Sequence, residues 1–279
     1  MNQTSETEPN APPLMNRRLS PNGVRSGGVG TMLWQQIKAE FLKLWRIPAF
    51  SVPTLLFPLL LFMLFAVPNA TQTLPDGRTV GQYLLASFCA YGLLGVSFFS
   101  FGVGVATERG QGWGTLVRAT PMPPWIYFTA KLVMGLLFAC LILALLFPAA
   151  YIAGEVRMPP LQWVALFFTL VIGVLPLTTI GFALGYWAGP NSAAPIANLI
   201  YLPLSFASGL WQPLNTLPVF VQQIAPYLPP YHYGRIALYA VGVDDGQLLV
   251  HIAWLLGTAI VFTALAVWGY RRDQGRLYG

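Results

Sequence analysis

The sequence predicts an all-α integral membrane protein with six transmembrane helices, and three observations carry that reading. Of its 279 residues, 56% are hydrophobic and only 9% are charged, with a mean hydropathy of +0.60. A soluble domain is about 25% charged, so lipid must cover surface that charge cannot. Apolar runs recur at close to the ~18–20 residues needed to cross a ~30 Å hydrocarbon core. The charged residues flank those runs and stay out of them.

Residues 1–30 are rich in Pro, Asn, Ser and Gly and hold no apolar run, so they read as a disordered cytoplasmic tail. Arg17 and Arg18 make no twin-arginine export signal, because no apolar region follows at the expected distance. Met32 is an alternative start of translation. Residues 31–279 form one transmembrane domain.

Residues 31–47 read as an amphipathic helix. Trp34, Ile37, Phe41, Leu44 and Trp45 follow helical spacing on one side, with Gln35, Lys38, Lys43 and Arg46 away from them. Tryptophan opposite basic residues suits a helix lying at the headgroup level; the competing reading is the start of the first span. Pro48 separates this helix from the first apolar run. The six spans are drawn at 51–67, 83–106, 132–152, 161–188, 193–210 and 248–268. Pro148, Pro176 and Pro203 fall inside them, which membrane helices tolerate. Small residues recur along the second span, with Ser100 and Gly104 at a spacing that allows close helix approach. Residues 211–247 carry Pro213, Pro218, Pro226, Pro229 and Pro230. That segment is too broken for a straight span and too apolar for a free loop, so it reads as a re-entrant outer hairpin of short helices.

Charge orients the set. Arg17, Arg18, Arg25, Lys38, Lys43, Arg46, Arg109, Arg118, Lys131, Arg271, Arg272 and Arg276 share one side, while Arg78, Arg157 and Arg235 fall on the other. This bias puts both termini and the loop 107–131 in the cytoplasm of a multi-pass plasma-membrane protein. It also accounts for the net charge of +6 without nucleic acid as a partner.

No Asp, Glu, Lys or Arg lies inside the six expected spans, which argues against ion coupling, since ion pathways are marked by buried ionisable groups. The chain also lacks a phosphate-binding G-x-x-x-x-G-K-[ST] loop. If ATP drives this protein, a second polypeptide binds it, and the charged loop 107–131 is where an outside motor would push. No catalytic or metal-ligating set is visible: His232 and His251 read as solvent-facing or helix-end residues, and a single imidazole makes no site. Cys89 and Cys140 read as buried free thiols. Asp244, Asp245 and Gly246 read as a turn.

Glu108, Arg109, Gly112, Arg118, Thr120, Pro121 and Lys131 resemble the second-loop signature of ABC-2 type transporter permeases. The stretch from Ser205 to Arg235, with Ser208, Gly209, Pro213, Pro218, Pro229 and His232, is similar to that family's fifth-span end and outer hairpin. The resemblance covers residues 31–276. It implies a permease that pairs with a second copy or homologue and docks on two cytoplasmic ATPase subunits, which would hold the ATP and magnesium; this chain would need no cofactor. A short coupling helix in the second loop would seat on the ATPase. Relatives often carry Lys or Glu just after the conserved glycine, where this chain has Trp113, Gly114 and Thr115. The docking surface is therefore less charged, and partner choice rests more on Trp113 and Leu116. The expected function is export of a hydrophobic or amphipathic drug, lipid or peptide. The competitors are a membrane-embedded enzyme of lipid metabolism, which needs a polar or metal-binding cluster at an interface, and an assembly subunit without transport.

Overall fold

The computed structural model describes residues 28–45, 48–74, 77–114, 119–120, 122–243 and 246–275; the expected tail at 1–27 lies outside them. Among the described residues the fold is helical, with one bridged pair, Thr73 and Thr79, as the sole strand-like contact. Helix α1 is Val29–Trp45 and α2 is Pro48–Leu61, which runs on through a π turn, Phe62–Ala66, and a 3-10 turn, Val67–Asn69. The second long helix combines α3, Val80–Val96, a π segment, Ser97–Val103, and α4, Gly104–Gly110. Then come α5, Pro124–Ile152, α6, Pro160–Trp187, α7, Ala193–Ala207, α8, Val219–Ile224, α9, Pro229–Ala240, and α10, Leu248–Gly275.

Sequence chemistry sets where these helices begin. Pro124, Pro160 and Pro229 each sit in a first turn, where a missing N–H leaves no bond unmade. Thr79 caps α3: its hydroxyl accepts from the Gln82 N–H at 3.2 Å while the Gln82 side chain accepts from the Thr79 N–H at 3.2 Å.

Among the described residues, five helices are long and apolar enough to cross a membrane: Val52–Asn69, Val80–Gly110, Pro124–Ile152, Pro160–Trp187 and Leu248–Asp273. The expected fifth span, 193–210, corresponds to α7, with 15 residues. At 1.5 Å per residue a helix of that length reaches about 22 Å, short of a ~30 Å core. It stops because Gly209 takes a left-handed φ of 75° and turns the chain. Three of the long helices overrun their expected ends, so α4 carries Glu108 and Arg109, α5 carries Lys131, and α10 carries Asp273.

The second long helix is the central post. Of its apolar stretch 89% is enclosed by the other helices, against 17% for α10, which faces outward. Close contact is made where the π segment meets α6. A Cβ on Gly181 would overlap the Ser97 carbonyl oxygen and come within 2.9 Å of the Phe101 Cβ, and one on Gly185 would stand 2.8 Å from the Val105 Cβ. Gly181 and Gly185 are thus the small-residue pair that lets the backbones touch. Ser100 and Gly104 do not play that part: a Cβ on Gly104 would meet only its own helix, at the Phe99 carbonyl. The Ser97 hydroxyl donates across the contact to the Leu177 carbonyl. A π turn frees backbone groups from the regular ladder, and this one lies against a partner helix.

Helix α1 packs along α5 with Glu40 buried. Trp34, Phe41 and Trp45 stay on its exposed side, while Ile37 joins the core. The expected apolar face is therefore split between core and surroundings.

Candidate functional site

At one end of the bundle the chain brings Glu40 and Lys43 of α1, Glu108 and Arg109 of α4, Tyr127 and Lys131 of α5, and Asp273 of α10 together. The two consecutive residues Glu108 and Arg109 reach in different directions, as neighbours on a helix must.

Glu108 is buried, and both its carboxylate oxygens are engaged. Oε1 accepts from the Lys131 Nζ at 2.8 Å and from Lys43, and Oε2 accepts from the Tyr127 hydroxyl. Glu40 closes the ring, 3.0 Å from the Lys43 Nζ and 3.3 Å from the Lys131 Nζ. Two carboxylates and two ammonium groups thus neutralise one another. Burial by itself would lower the Lys43 pKa; the charges of Glu108 and then Glu40, with their hydrogen bonds, outweigh it and hold the ammonium above its ordinary value. Lys131 also stands 5.0 Å above the Tyr127 ring.

Arg109 grips the other side. Its guanidinium meets the Asp273 carboxylate in a two-pronged pair at 2.6 and 3.1 Å. It donates to the Gly185 carbonyl at 2.7 Å and to the Ala188 carbonyl at 3.4 Å, just where α6 ends and its last carbonyls lack helical partners. Two adjacent side chains therefore tie the central post to α1, α5, α6 and α10. The chemistry is that of a mechanical joint: each acid is held by a cation or a hydroxyl, and none is left poised as a base.

Gly110 approaches Pro190 so closely that a Cβ there would overlap the ring. Gly112 follows at φ 74°, its N–H bonded to the Arg109 carbonyl at 3.1 Å, a left-handed stop that favours glycine. Trp113 is partly exposed and borders a cavity of about 280 Å³, with Tyr127, Phe128, Tyr186 and Tyr270 among its walls. Leu116, Arg118 and Pro121, and with them most of the expected coupling helix, lie outside the described residues.

At the opposite end lie short helices of the segment in which a hairpin is expected. Pro213 and Pro218 precede the short helices Leu214–Thr216 and Val219–Ile224, and Pro229 opens α9. His232 is not solvent-facing. It is buried, as is His251, and their Nδ1 atoms lie 2.8 Å apart. The His232 Nε2 is 2.8 Å from the Pro226 carbonyl, which can only accept. A neutral His232 therefore carries its proton on Nε2 and accepts at Nδ1 from His251. Stacking of His232 on Trp254 at 4.9 Å completes the tie between α9 and α10. Ser208 is buried, and the Gly209 carbonyl accepts from the Tyr83 hydroxyl at 3.3 Å. On the same end Arg78 donates to the Val241 carbonyl beneath Gly242, where φ is 91° and a Cβ would lie 2.5 Å from the guanidinium.

Glu108, Arg109 and Lys131 are legible in the sequence as site residues; Glu40, Tyr127 and Asp273 are not, and helical spacing puts Lys43 on an outward face. A signal for two of them exists: Glu40 is the sole acid on α1, and Asp273 the sole acid beyond residue 245. Isolated acids among basic residues are candidates for pairing.

Helices of this length and hydropathy, packed round a buried central post, define a multi-pass membrane protein. More narrowly, the chain belongs to the ABC-2 family of transporter proteins, whose family model matches residues 67–268. It is 28% identical over 204 residues, 73% of this chain and 82% of the relative, to the Bacillus subtilis (strain 168) protein named "Putative transport permease YvfS". The chain is thus a permease subunit of a transporter. The family match takes in Glu108, Arg109 and Lys131 and leaves Glu40, Lys43 and Asp273 outside.

Proposed function

We propose that this chain is the membrane subunit of an ATP-driven exporter of hydrophobic or amphipathic compounds. The observation that carries the proposal is the joint at Glu108 and Arg109, which ties four other helices to the end of the central post. A push on the loop 107–131 would reach all of them as one block, because buried ion pairs break only at a cost of about 3–5 kcal/mol. The driving subunit is a separate cytoplasmic ATPase in two copies, holding ATP and magnesium. It docks on the loop through Gly112, Trp113, Leu116, Arg118 and Pro121. A second permease copy or homologue completes the path.

In this reading both termini and the Glu108 end are cytoplasmic, α1 lies at the headgroups, and α7 with residues 208–210 makes a sixth, short span. The hairpin 211–247 dips into the outer leaflet of the plasma membrane, and residues 1–30 are dispensable for transport. A cavity of about 340 Å³ between the first, second and fifth spans, walled by Phe57, Tyr91, Phe99 and Tyr201, supplies apolar surface for such a substrate.

Affinity purification of the full chain from its native membrane tests the partner. The expected result is an ATPase with a phosphate loop that co-purifies with the wild type and is depleted with Trp113→Ala. Recovery of a stable permease without any ATPase would refute the proposal.

A further inference from the structure

The Glu108 end holds more positive charge than its joint uses. Glu40, Glu108 and Asp273 are each already held by a cation. Arg271 and Arg272, both exposed in the last turns of α10, have no carboxylate partner among the described residues, and residues 274–279 contain no acid. Arg272 instead stands 5.5 Å above the Trp187 ring. That ring is fixed: its Nε1 donates to the Leu265 carbonyl at 3.0 Å, and it packs edge-on against Trp268 at 4.8 Å. Gly269 makes the room, since a Cβ there would lie 3.0 Å from the Trp187 Nε1. Trp268 is exposed, and its indole N–H is bonded to no described residue.

Helical spacing sets Trp268 beside both arginines, which follow it at three and four positions. The same spacing sets Ile260, Ala264, Val267 and Arg271 on one face of α10, and these four with Trp268 line a furrow. Ile260, Val267 and Trp268 are exposed, so no described helix covers it. From Ile260 to Arg271 is 11 positions (271 minus 260). At 1.5 Å each they span about 16 Å, roughly half of a ~30 Å hydrocarbon core. The furrow thus reaches from the headgroup level, where tryptophan and arginine are at home, to the middle of a bilayer. It is apolar along its length and cationic at one end.

We propose that this furrow binds an anionic phospholipid of the leaflet at the Glu108 end. Arg271 and Arg272 balance the charge of its phosphate, the Trp268 N–H donates to a phosphate oxygen, and one acyl chain lies along Val267, Ala264 and Ile260. A zwitterionic lipid fits less well, because it brings its own cation to the same place. The binding needs neither ATP nor export, so its outcome is independent of the transport reading.

Native mass spectrometry of the full chain in detergent, titrated with phosphatidylglycerol or with phosphatidylcholine, is the test. Saturable binding of phosphatidylglycerol in preference to phosphatidylcholine is expected. Arg271→Gln should weaken it about fivefold, and Arg271→Gln with Arg272→Gln further. Lys38→Gln, which removes an exposed cation of α1, should leave it unchanged. Ala264→Trp fills the furrow without altering charge and should weaken binding several-fold. Circular dichroism and thermal unfolding confirm that each variant is folded. Equal losses in Lys38→Gln and Arg271→Gln would mean a diffuse effect of charge and would overturn the proposal. So would folded Arg271→Gln and Ala264→Trp variants that bind like the wild type, or a wild type that binds both lipids alike. Glu6→Gln with Glu8→Gln should leave the affinity as it is; a gain of about tenfold would mean that these acids already hold Arg271 and Arg272, and would equally overturn it.

Discussion

The two ends of the bundle are fastened by opposite chemistry. At the Glu108 end the fastening is ionic: Glu40, Lys43, Glu108 and Lys131 form a ring of alternating charge, and Arg109 with Asp273 forms a second pair beside it. At the hairpin end the tie is a pair of buried histidines, of which at least one is neutral, hydrogen-bonded to each other and to a carbonyl. An ionic ring is stiff because losing one member strands the others as buried charge. A neutral hydrogen bond has a net worth of only about 0.5–1.5 kcal/mol. The difference makes the Glu108 end the costlier of the two to take apart and the histidine end the less costly.

The sharpest way to break this contrast is Glu108→Gln. It leaves Lys131, which is 4% exposed, with Glu40 as its remaining carboxylate, and is expected to destabilise the protein by about 3–5 kcal/mol. Thermal unfolding in detergent measures it. Adding Lys131→Met should recover much of the loss, since a buried pair replaced by apolar groups is often neutral; no recovery would show that Glu108 matters for some other reason.

The crossing between the ends comes next. Gly181→Ala forces a Cβ into the Ser97 backbone and should cost about 1–3 kcal/mol, whereas the same change at Gly257, which has open space around its Cβ position, should cost nothing or stabilise. Equal effects at the two glycines would remove the crossing from the account.

An effect of similar size is expected at the histidine end. His251→Phe leaves the His232 Nδ1 without the His251 donor, a loss of about 1–3 kcal/mol. Hydrogen exchange should rise in α8 and α9 and stay unchanged in α1. Faster exchange in α1 would mean that the two ends are not independent.

The smallest effect concerns pH. Because the Lys43 pKa is raised in the fold, its contribution is whole below the ordinary lysine value of about 10.4 and declines only as pH climbs through the raised one. Fluorescence of Trp34 and Trp45, on the exposed side of α1, should be flat from about pH 7 to 9 and shift only in stronger alkali. A transition near neutrality would mean that burial outweighs the two carboxylates at Lys43.

Much of this was readable in the sequence, and the gaps have physical causes. Apolar length and charge placement gave the long helices, and the prolines gave several of their starts. Glu108 and Lys131, which pair, both belong to the second-loop resemblance. Lys43 was misplaced because helical spacing sorts residues by polarity, and a charge that turns inward to meet a distant carboxylate has the same spacing as one that faces water. Glu40 and Asp273 left only a weak signal, that of isolated acids among basic residues. The histidine pair had no local signal at all: residues 232 and 251 stand on different helices, and their meeting depends on how the segment between them turns. The small residues of the second span predicted a close approach there, and Gly102 makes it together with Gly181 and Gly185 of the partner helix, whereas Gly104 does not.

Reconstitution with the proposed ATPase partner in proteoliposomes tests the central proposal, that the Glu108 joint carries force, most directly. The quantity is substrate exported per ATP hydrolysed, compared among the wild type, Glu108→Gln and the Glu108→Gln, Lys131→Met pair, each at equal assembly. A joint that transmits force predicts continued hydrolysis with export lowered at least tenfold in Glu108→Gln and partly regained in the pair. Export per ATP equal to the wild type in an assembled Glu108→Gln complex would contradict it.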